Sequence, residues 1–309
     1  MKIGMSVTPT AEPICTNTEA PCIDLVIEAR ARDLGDGFSV RRVLPSTQRR
    51  LVGPFVFYDH MGPAQLAPGT GFDVRPHPHI ALATVTYLFE GAIDHKDSVG
   101  SEQTIRPGDV NWMVAGSGIA HSERSPADLR PAGPRIHGIQ SWVALPTELE
   151  EVDPRFEHHP ASTIPRVELE GAVLDVVAGT AYGQTSPVGV LSPTLYVHAQ
   201  LQAGARLRVD DEHAERAVYV VEGAVEIEGR TFGPATMVVL RPGAEVSLTA
   251  TEATRAMLVG GARLSGERHV WWNFVSTYPE RIERAKADWA SRNFPAVPGD
   301  DEFIPLPTR

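Results

Sequence analysis

Two histidines separated by one residue carry the strongest chemical signal in this sequence. His77 and His79 lie in the stretch RPHPHIALATVTYLFEG, whose later residues include the β-branched and aromatic types that favour strands. Side chains at positions i and i+2 of a β-strand project from the same face, so both imidazoles can reach one metal ion. A pair alone is weak support for a metal site, because most histidines are structural or surface residues.

A second pair of candidate ligands follows further along the chain. In GSGIAHSER, His121 and Glu123 are again separated by one residue, so both should project from one side of a strand. Three neutral imidazoles and one carboxylate suit Fe(II), Mn(II), Ni(II), Co(II) or Cu(II), whereas structural zinc prefers thiolates and closed coordination. Four protein ligands leave two positions of an octahedral ion for a substrate oxygen and dioxygen.

The spacing around both pairs matches the two sequence motifs of the cupin superfamily. Gly71, the H-x-H pair and Gly91 fill the first motif, but Thr84 stands where the motif has a glutamate. The second motif is filled by G-S-G-I-A-H, which ends at His121. In a cupin the two motifs lie on facing strands of one small barrel. We therefore expect Glu123 to replace the missing carboxylate.

Strand-like segments fill most of the chain and must position these residues. Segments such as VNWMVAG and HGIQSWVALP recur at roughly ten-residue intervals with turn residues between them, which predicts a β-sandwich or barrel. Near the C-terminus, Thr277 and Glu280 have capping-box spacing, and Ile282, Ala285 and Trp289 would share one helix face. The predicted fold is all-β with a short C-terminal helix.

The two halves of the chain repeat each other weakly. TYLFEGA, which begins at Thr86, aligns without a gap with VYVVEGA, which begins at Val218, and this indicates a duplicated domain. The same shift places His77 on Val209 and His79 on Asp211, so the second copy lacks the ligands. The predicted parts are a poorly ordered leader (1–22), an N-terminal metal-binding domain (23–158), a C-terminal domain without ligands (159–270), and a helix with an extended tail (271–309).

Composition limits the classes of partner and the location. The net charge of −11 argues against direct binding to nucleic acid or anionic membranes, which requires a basic face, but is compatible with a protein partner. No apolar run approaches the roughly 20 residues that span a bilayer. The N-terminus lacks the apolar core of a signal peptide. Only Cys15 and Cys22 are present, so we expect a cytoplasmic protein without a disulfide framework.

The motifs quoted above, together with DHKDSVG and RPGDVNWMVAGSGIAHSER, resemble the pirin family of two-domain cupins. The glutamate moved into an H-x-E motif is typical of pirins. The resemblance extends from near Ile23 to the end, although HVWWNFV and DDEFIPLP depart from the commoner pirin ending. It implies two tandem jelly-roll cupin domains, of which the first binds a metal, usually iron, and the second has lost its ligands.

The resemblance implies two functions of different classes. Bacterial pirins are associated with the opening of the flavonol quercetin by dioxygen. By this analogy the protein is a quercetin 2,3-dioxygenase in which Glu123 is both a ligand and the base for the substrate's 3-hydroxyl. Eukaryotic pirins resemble transcriptional co-regulators, so the alternative is a non-enzymatic, iron- or redox-sensing protein that binds a protein partner. Both functions need the same metal.

Other polar residues near the motifs carry weaker signals. Asp59 and His60 precede the site in a predicted loop, where they could orient a ligand imidazole or make simple loop hydrogen bonds. His95, Asp97 and Ser98 follow the Glu-Gly turn, and the expected role for them is to stabilise that turn.

Overall fold

The protein is built mainly from β-strands. The computed structural model describes residues 12–33 and 39–308. The strands of the first half are β1 Ile14–Asn17, β2 Ile23–Glu28, β3 Arg30–Asp33, β4 Ser39–Leu44, β5 Phe55–Gln65, β6 Asp73–His79, β7 Leu82–Gly91, β8 Ile93–Asp97, β9 Glu102–Ile105, β10 Val110–Val114, β11 Ile119–Arg124, β12 Arg135–Ala144 and β13 Arg155–His159.

The second half continues in the same way and ends in a helix. Its elements are β14 Arg166–Leu169, β15 Ala172–Ala181, β16 Gln184–Thr185, β17 Thr194–Leu201, β18 Arg206–Arg208, β19 Glu215–Glu222, β20 Val225–Ile227, β21 Arg230–Phe232, β22 Thr236–Leu240, β23 Ser247–Ala250, β24 Thr254–Gly261, β25 His269–Trp271, β26 Phe274–Ser276 and helix α1 Pro279–Ala290. Short 3-10 helices lie at Arg130–Ala132, Thr147–Leu149 and Ala161–Thr163. No helix among the described residues is long and apolar enough to cross a membrane.

Two antiparallel sheets form the N-terminal domain. The larger has the order β13-β10-β7-β12-β5-β4-β3, and the smaller has the order β6-β11-β8-β9. Strand alternation gives the larger sheet two different faces. On β7, Val85 and Tyr87 belong to the core between the domains, whereas Thr86 contacts Glu123 inside the barrel.

The C-terminal domain repeats this arrangement around an apolar interior. Its larger sheet has the order β1-β2-β22-β19-β24-β17-β15-β14, with β16 beside β15, and its smaller sheet has the order β18-β23-β20-β21. Val209, which the repeat aligns with His77, is fully buried in this apolar core with Val218 and Leu248. The outer faces of the two large sheets pack together, so that Tyr58 and Tyr87 share one core with Tyr196 and Tyr219.

The first described strands belong to the sheet of the C-terminal domain. β1 and β2 complete the C-terminal sheet, where Ile23–Glu28 pairs with β22. The predicted boundary assigns Ile23–Glu28 to the N-terminal domain and β1 to the leader, and the pairing corrects both assignments. The first part of the leader, residues 1–11, lies outside the described residues. The pairing supplies β22 with a hydrogen-bonded neighbour, which a local sequence pattern does not specify.

The C-terminal helix lies on the N-terminal domain. Ile282, Ala285 and Trp289 are buried, as their spacing predicts, but the residue that precedes the helix is Tyr278, which makes no side-chain cap. The predicted capping role of Thr277 is wrong, because its side-chain hydroxyl donates to the Glu150 carboxylate instead of accepting from the first turn of the helix.

Candidate metal centre

The four predicted ligands lie on two neighbouring strands of the smaller sheet. β6 carries His77 and His79, and β11 carries His121 and Glu123. The strands are paired antiparallel, with His77 directly opposite His121. The expectation of facing strands was therefore wrong. Directly opposed residues on adjacent strands lie about 5 Å apart at Cβ, which brings the imidazoles together.

The three histidines form a compact, buried group. Their candidate ligand atoms all lie within 4.8 Å of one another, and none of the three residues is more than 3% exposed. Burial lowers the pKa of His77 to about 4 and holds the pKa values of His79 and His121 well below the usual value. The rings are therefore neutral, which is the form of histidine that binds metals.

Hydrogen bonds determine which nitrogen of each ring faces the site. Nδ1 of His77 donates to the Arg75 carbonyl at 2.9 Å, and Nδ1 of His79 donates to the Asn273 carbonyl at 3.1 Å. A carbonyl only accepts, so the lone pair of each ring is on Nε2. Nε2 of His121 is buried without a hydrogen-bond partner. This donor set, with an unsatisfied buried nitrogen, fits a divalent transition metal.

Glu123 lies beside the histidine group in the wall of the same cavity. A register shift relative to β6 places it opposite Val74. One carboxylate oxygen accepts hydrogen bonds from the Thr86 hydroxyl at 3.3 Å and the Gln140 amide at 3.4 Å. Burial raises the pKa of this carboxyl group, which makes the ionised form a stronger base than an exposed glutamate.

His95 and Asp97 come from β8, the strand on the other side of β11. Asp97 Oδ1 accepts the backbone N–H groups of Val99 and Ser101 at 3.0 and 2.9 Å, which is the turn-stabilising role that their position predicts. Nδ1 of His95 also lies 3.4 Å from Nδ1 of His121. Sequence reasoning missed this contact, since the only local signal is an H-x-D after a turn.

Asp59 and His60 belong to β5 and face opposite sides of the larger sheet. Asp59 accepts two hydrogen bonds from the Arg42 guanidinium, at 2.7 and 2.6 Å, in the cavity wall. The ring nitrogens of His60 lie 2.9 Å from the hydroxyl of Tyr219 and 2.9 Å from Nε2 of His137, between the domains. They occupy a strand rather than the predicted loop, and the main-chain carbonyls of Arg75 and Asn273, not these side chains, orient His77 and His79.

A small cavity with aromatic walls adjoins the histidines. Its volume is about 60 Å³. The rings of Phe57 and Trp142 stack at 4.0 Å between centroids, and Trp142 lies edge-on to His79 at 5.1 Å. The Arg42 guanidinium covers Phe57 at 4.3 Å. Aromatic rings and the Arg42 guanidinium therefore line the cavity next to the candidate ligands.

Comparison with known proteins agrees with this architecture. The Pirin family model matches residues 37–143, and the model of the Pirin C-terminal cupin domain matches residues 196–295. A pirin-like protein of Caulobacter vibrioides is 51% identical over 289 residues, which are 92% of this chain and 99% of the relative. The chain belongs to the pirin family. The predicted family and the tandem cupin fold are both confirmed.

This pirin is also similar to proteins whose names state an activity. A Pseudomonas aeruginosa protein provisionally named quercetin 2,3-dioxygenase is 39% identical over 265 residues, covering 85% of this chain and 82% of the relative. A crystal structure of a quercetin 2,3-dioxygenase from Acinetobacter baumannii superposes with a TM-score of 0.85 at 33% identity. That alignment covers 92% of this pirin and 95% of the Acinetobacter chain.

Proposed function

We propose that this pirin is a metal-dependent dioxygenase that opens a flavonol such as quercetin. The observation that carries the proposal is the buried group formed by His77, His79 and His121, with the Glu123 carboxylate in the same cavity wall. The names of the Pseudomonas and Acinetobacter relatives support the choice of reaction.

The metal would be held by the three histidines, with Glu123 as the fourth ligand. Fe(II) is the proposed ion, and the same nitrogen and oxygen donors also suit Mn(II), Ni(II), Co(II) or Cu(II). When bound, such an ion supplies Lewis acidity toward a substrate oxygen and a place for dioxygen chemistry.

The chain's own residues bind the substrate and take its proton. Thr86 and Gln140 restrain one oxygen of Glu123, so that the other oxygen is available to receive the proton of the substrate's 3-hydroxyl. Phe57 and Trp142 offer aromatic surfaces for the flat rings of a flavonol.

The cavity must enlarge before it can hold a flavonol. Its volume of about 60 Å³ compares with about 300 Å³ or more for typical small-molecule sites. The Arg42–Asp59 pair forms one polar part of the wall, and Arg42 covers the face of Phe57. Movement of the Arg42 side chain is therefore the proposed step that admits the substrate.

Replacement of the proposed base tests the reaction directly. Glu123→Gln should lower quercetin turnover by about 10²- to 10⁴-fold, the usual contribution of a general base, while some metal is retained. The matched control is Glu90→Gln, which removes a carboxylate paired with Arg135 at the protein surface. Anaerobic reconstitution with Fe(II), followed by quercetin and oxygen, is monitored by carbon monoxide release and loss of flavonol absorbance. Full activity of Glu123→Gln would contradict the base role.

The small cavity favours a second candidate function. A metal site that excludes large ligands suits a non-enzymatic, metal-sensing protein, and the net charge of −11 suits a protein partner better than DNA. Absence of quercetin turnover after loading with Fe, Mn, Ni, Co and Cu in turn would favour this sensor over the dioxygenase.

A further inference from the structure

We infer that Asp97 and His95 form a hydrogen-bonded relay that sets the tautomer of His121, which makes them positioning residues of the metal site. The inference rests on the metal-binding part of the proposed function and is independent of flavonol turnover.

The three side chains form a continuous buried series. Nε2 of His95 lies 2.9 Å from Oδ2 of Asp97, and Nδ1 of His95 lies 3.4 Å from Nδ1 of His121. Their exposure is 3% for His95 and zero for Asp97 and His121. The ring of Phe156 stacks on His95 with centroids 4.3 Å apart and holds its plane.

The ionised carboxylate of Asp97 determines the direction of each hydrogen bond in the relay. An ionised carboxylate only accepts, so His95 carries its proton on Nε2 and has its lone pair on Nδ1. Nδ1 of His121 must then donate to His95, which leaves the lone pair of His121 on Nε2. Nε2 of His121 is the buried atom that has no hydrogen-bond partner, so both ends of the series require the same tautomer.

The relay distinguishes His121 from the other two ligand histidines. His77 and His79 are oriented by the main-chain carbonyls of Arg75 and Asn273, which no side-chain substitution removes. His121 is oriented by a side chain instead. Its tautomer can therefore be changed by mutation without altering any ligand.

Asp97→Asn should reverse the relay. Oδ1 of Asp97 accepts two backbone N–H groups, from Val99 and Ser101, so the amide oxygen of an asparagine must occupy that position. The amide NH₂ would then point at Nε2 of His95 and donate to it. His95 would carry its proton on Nδ1, and His121 would be driven to carry its proton on the metal-facing Nε2.

The first measurement is the affinity for Zn²⁺, obtained by competition with a fluorescent chelator. Asp97→Asn should weaken binding by about 10- to 100-fold, the range expected for partners that orient metal ligands. The matched control is Asp94→Asn on the same strand, whose Oδ1 accepts from Thr104 at 2.6 Å, and its affinity should equal that of the wild type. An Asp97→Asn affinity equal to that of Asp94→Asn would overturn the relay. A wild-type protein that does not bind Zn²⁺ would overturn the metal site itself.

The second measurement uses the unmutated protein and does not depend on the variant folding. Long-range ¹H–¹⁵N spectra of the metal-free protein, with His121 assigned from a His121→Gln sample, report which ring nitrogen carries the proton. The relay requires the proton on Nδ1 of His121 and on Nε2 of His95. A proton on Nε2 of His121 would overturn it.

Discussion

At the scale of single residues, burial keeps each candidate ligand histidine neutral, and a hydrogen bond at Nδ1 orients its ring. Desolvation keeps the three imidazoles neutral. Nδ1 of His77 and Nδ1 of His79 each donate to a main-chain carbonyl, and Nδ1 of His121 lies 3.4 Å from Nδ1 of His95. Thr84 stands where the cupin motif has a glutamate, and it lies on β7 in the opposite sheet. The missing glutamate therefore does not alter β6 or β11. The carboxylate proposed in its place is Glu123 on β11, two residues beyond His121.

Arg42 is expected to limit access to the cavity. Arg42→Ala should increase the association rate of quercetin roughly tenfold, because it uncovers Phe57. It should also cost about 1–3 kcal/mol in stability, since buried Asp59 loses its partner. Stopped-flow quenching of tryptophan fluorescence measures the rate, with Arg50→Ala, an exposed arginine paired with Glu267, as the control. An unchanged rate would show that another group limits entry.

At the scale of elements, the smaller sheet brings the candidate site residues together, and a glycine turn leads into β11. β6, β11 and β8 are consecutive neighbours, so one sheet carries the ligands and the relay. The turn before β11 requires glycine at Gly116, which has φ of 48° and whose added Cβ would lie 1.9 Å from the Val152 carbonyl oxygen. The glycine-rich second motif thus reflects close backbone approach.

The C-terminal segment supports the same sheet from outside. Ile80, next to His79, forms a β-bridge with Phe274, and the Ile304 N–H donates to the Pro76 carbonyl at 3.0 Å. The helix contributes Trp289, whose ring stacks on Phe303 at 4.6 Å. This segment also provides the carbonyl that orients His79.

Loss of the helix anchor should therefore affect both stability and metal binding. Trp289→Ala should cost about 3–5 kcal/mol in the free energy of unfolding. It should also weaken Zn²⁺ binding roughly tenfold, because the backbone around His79 loosens. Urea unfolding and chelator competition measure the two effects. Arg284→Ala, an exposed residue on the same helix, should change stability by less than about 0.5 kcal/mol. A large loss of stability with unchanged Zn²⁺ affinity would show that the C-terminal segment does not support the metal site.

At the scale of the whole molecule, the two cupins share a core that contains a neutral histidine pair. Nε2 of His60 lies 2.9 Å from Nε2 of His137 between the large sheets. Burial, assisted by the nearby Arg41, lowers the pKa of His60 to about 2. Burial and Arg255 lower the pKa of His137 to about 4. Neither ring can accept a proton without disturbing the interface.

Stability should consequently fall on mild acidification. Unfolding returns both histidines to a pKa near 6.5, so below that pH the unfolded chain binds more protons than the folded protein. The stability conferred by the neutral pair is complete above pH 6.5. It is lost progressively as the pH falls, down to about pH 4 for His137 and about pH 2 for His60.

Substitution of one histidine tests this account. Between pH 6.5 and 4.5, His60→Phe should lose less stability than the wild type, by up to about 1.4 kcal/mol per pH unit. Urea unfolding at several pH values measures the slopes. Tyr219→Phe, which removes a hydroxyl beside His60 but keeps both histidines, should retain the wild-type slope. Equal slopes for His60→Phe and the wild type would contradict the prediction.

Much of this protein could be predicted from local patterns. Alternation identified the strands, the i, i+2 spacing identified His77 with His79 and His121 with Glu123, and the repeat showed that Val209 lies where the second domain would need a histidine. The helix stripe was confirmed as well, because its spacing depends only on the geometry of one helix.

The sequence by itself therefore determined the elements, the duplication and the candidate ligands, since each depends on residues close together in the chain. Tertiary structure decided which groups hold those ligands. The Asn273 carbonyl reaches His79 across 194 residues, His95 reaches His121 from a neighbouring strand, and β2 joins the sheet of the other domain. Such contacts depend on long-range strand pairing and packing, and spacing along the chain does not encode them.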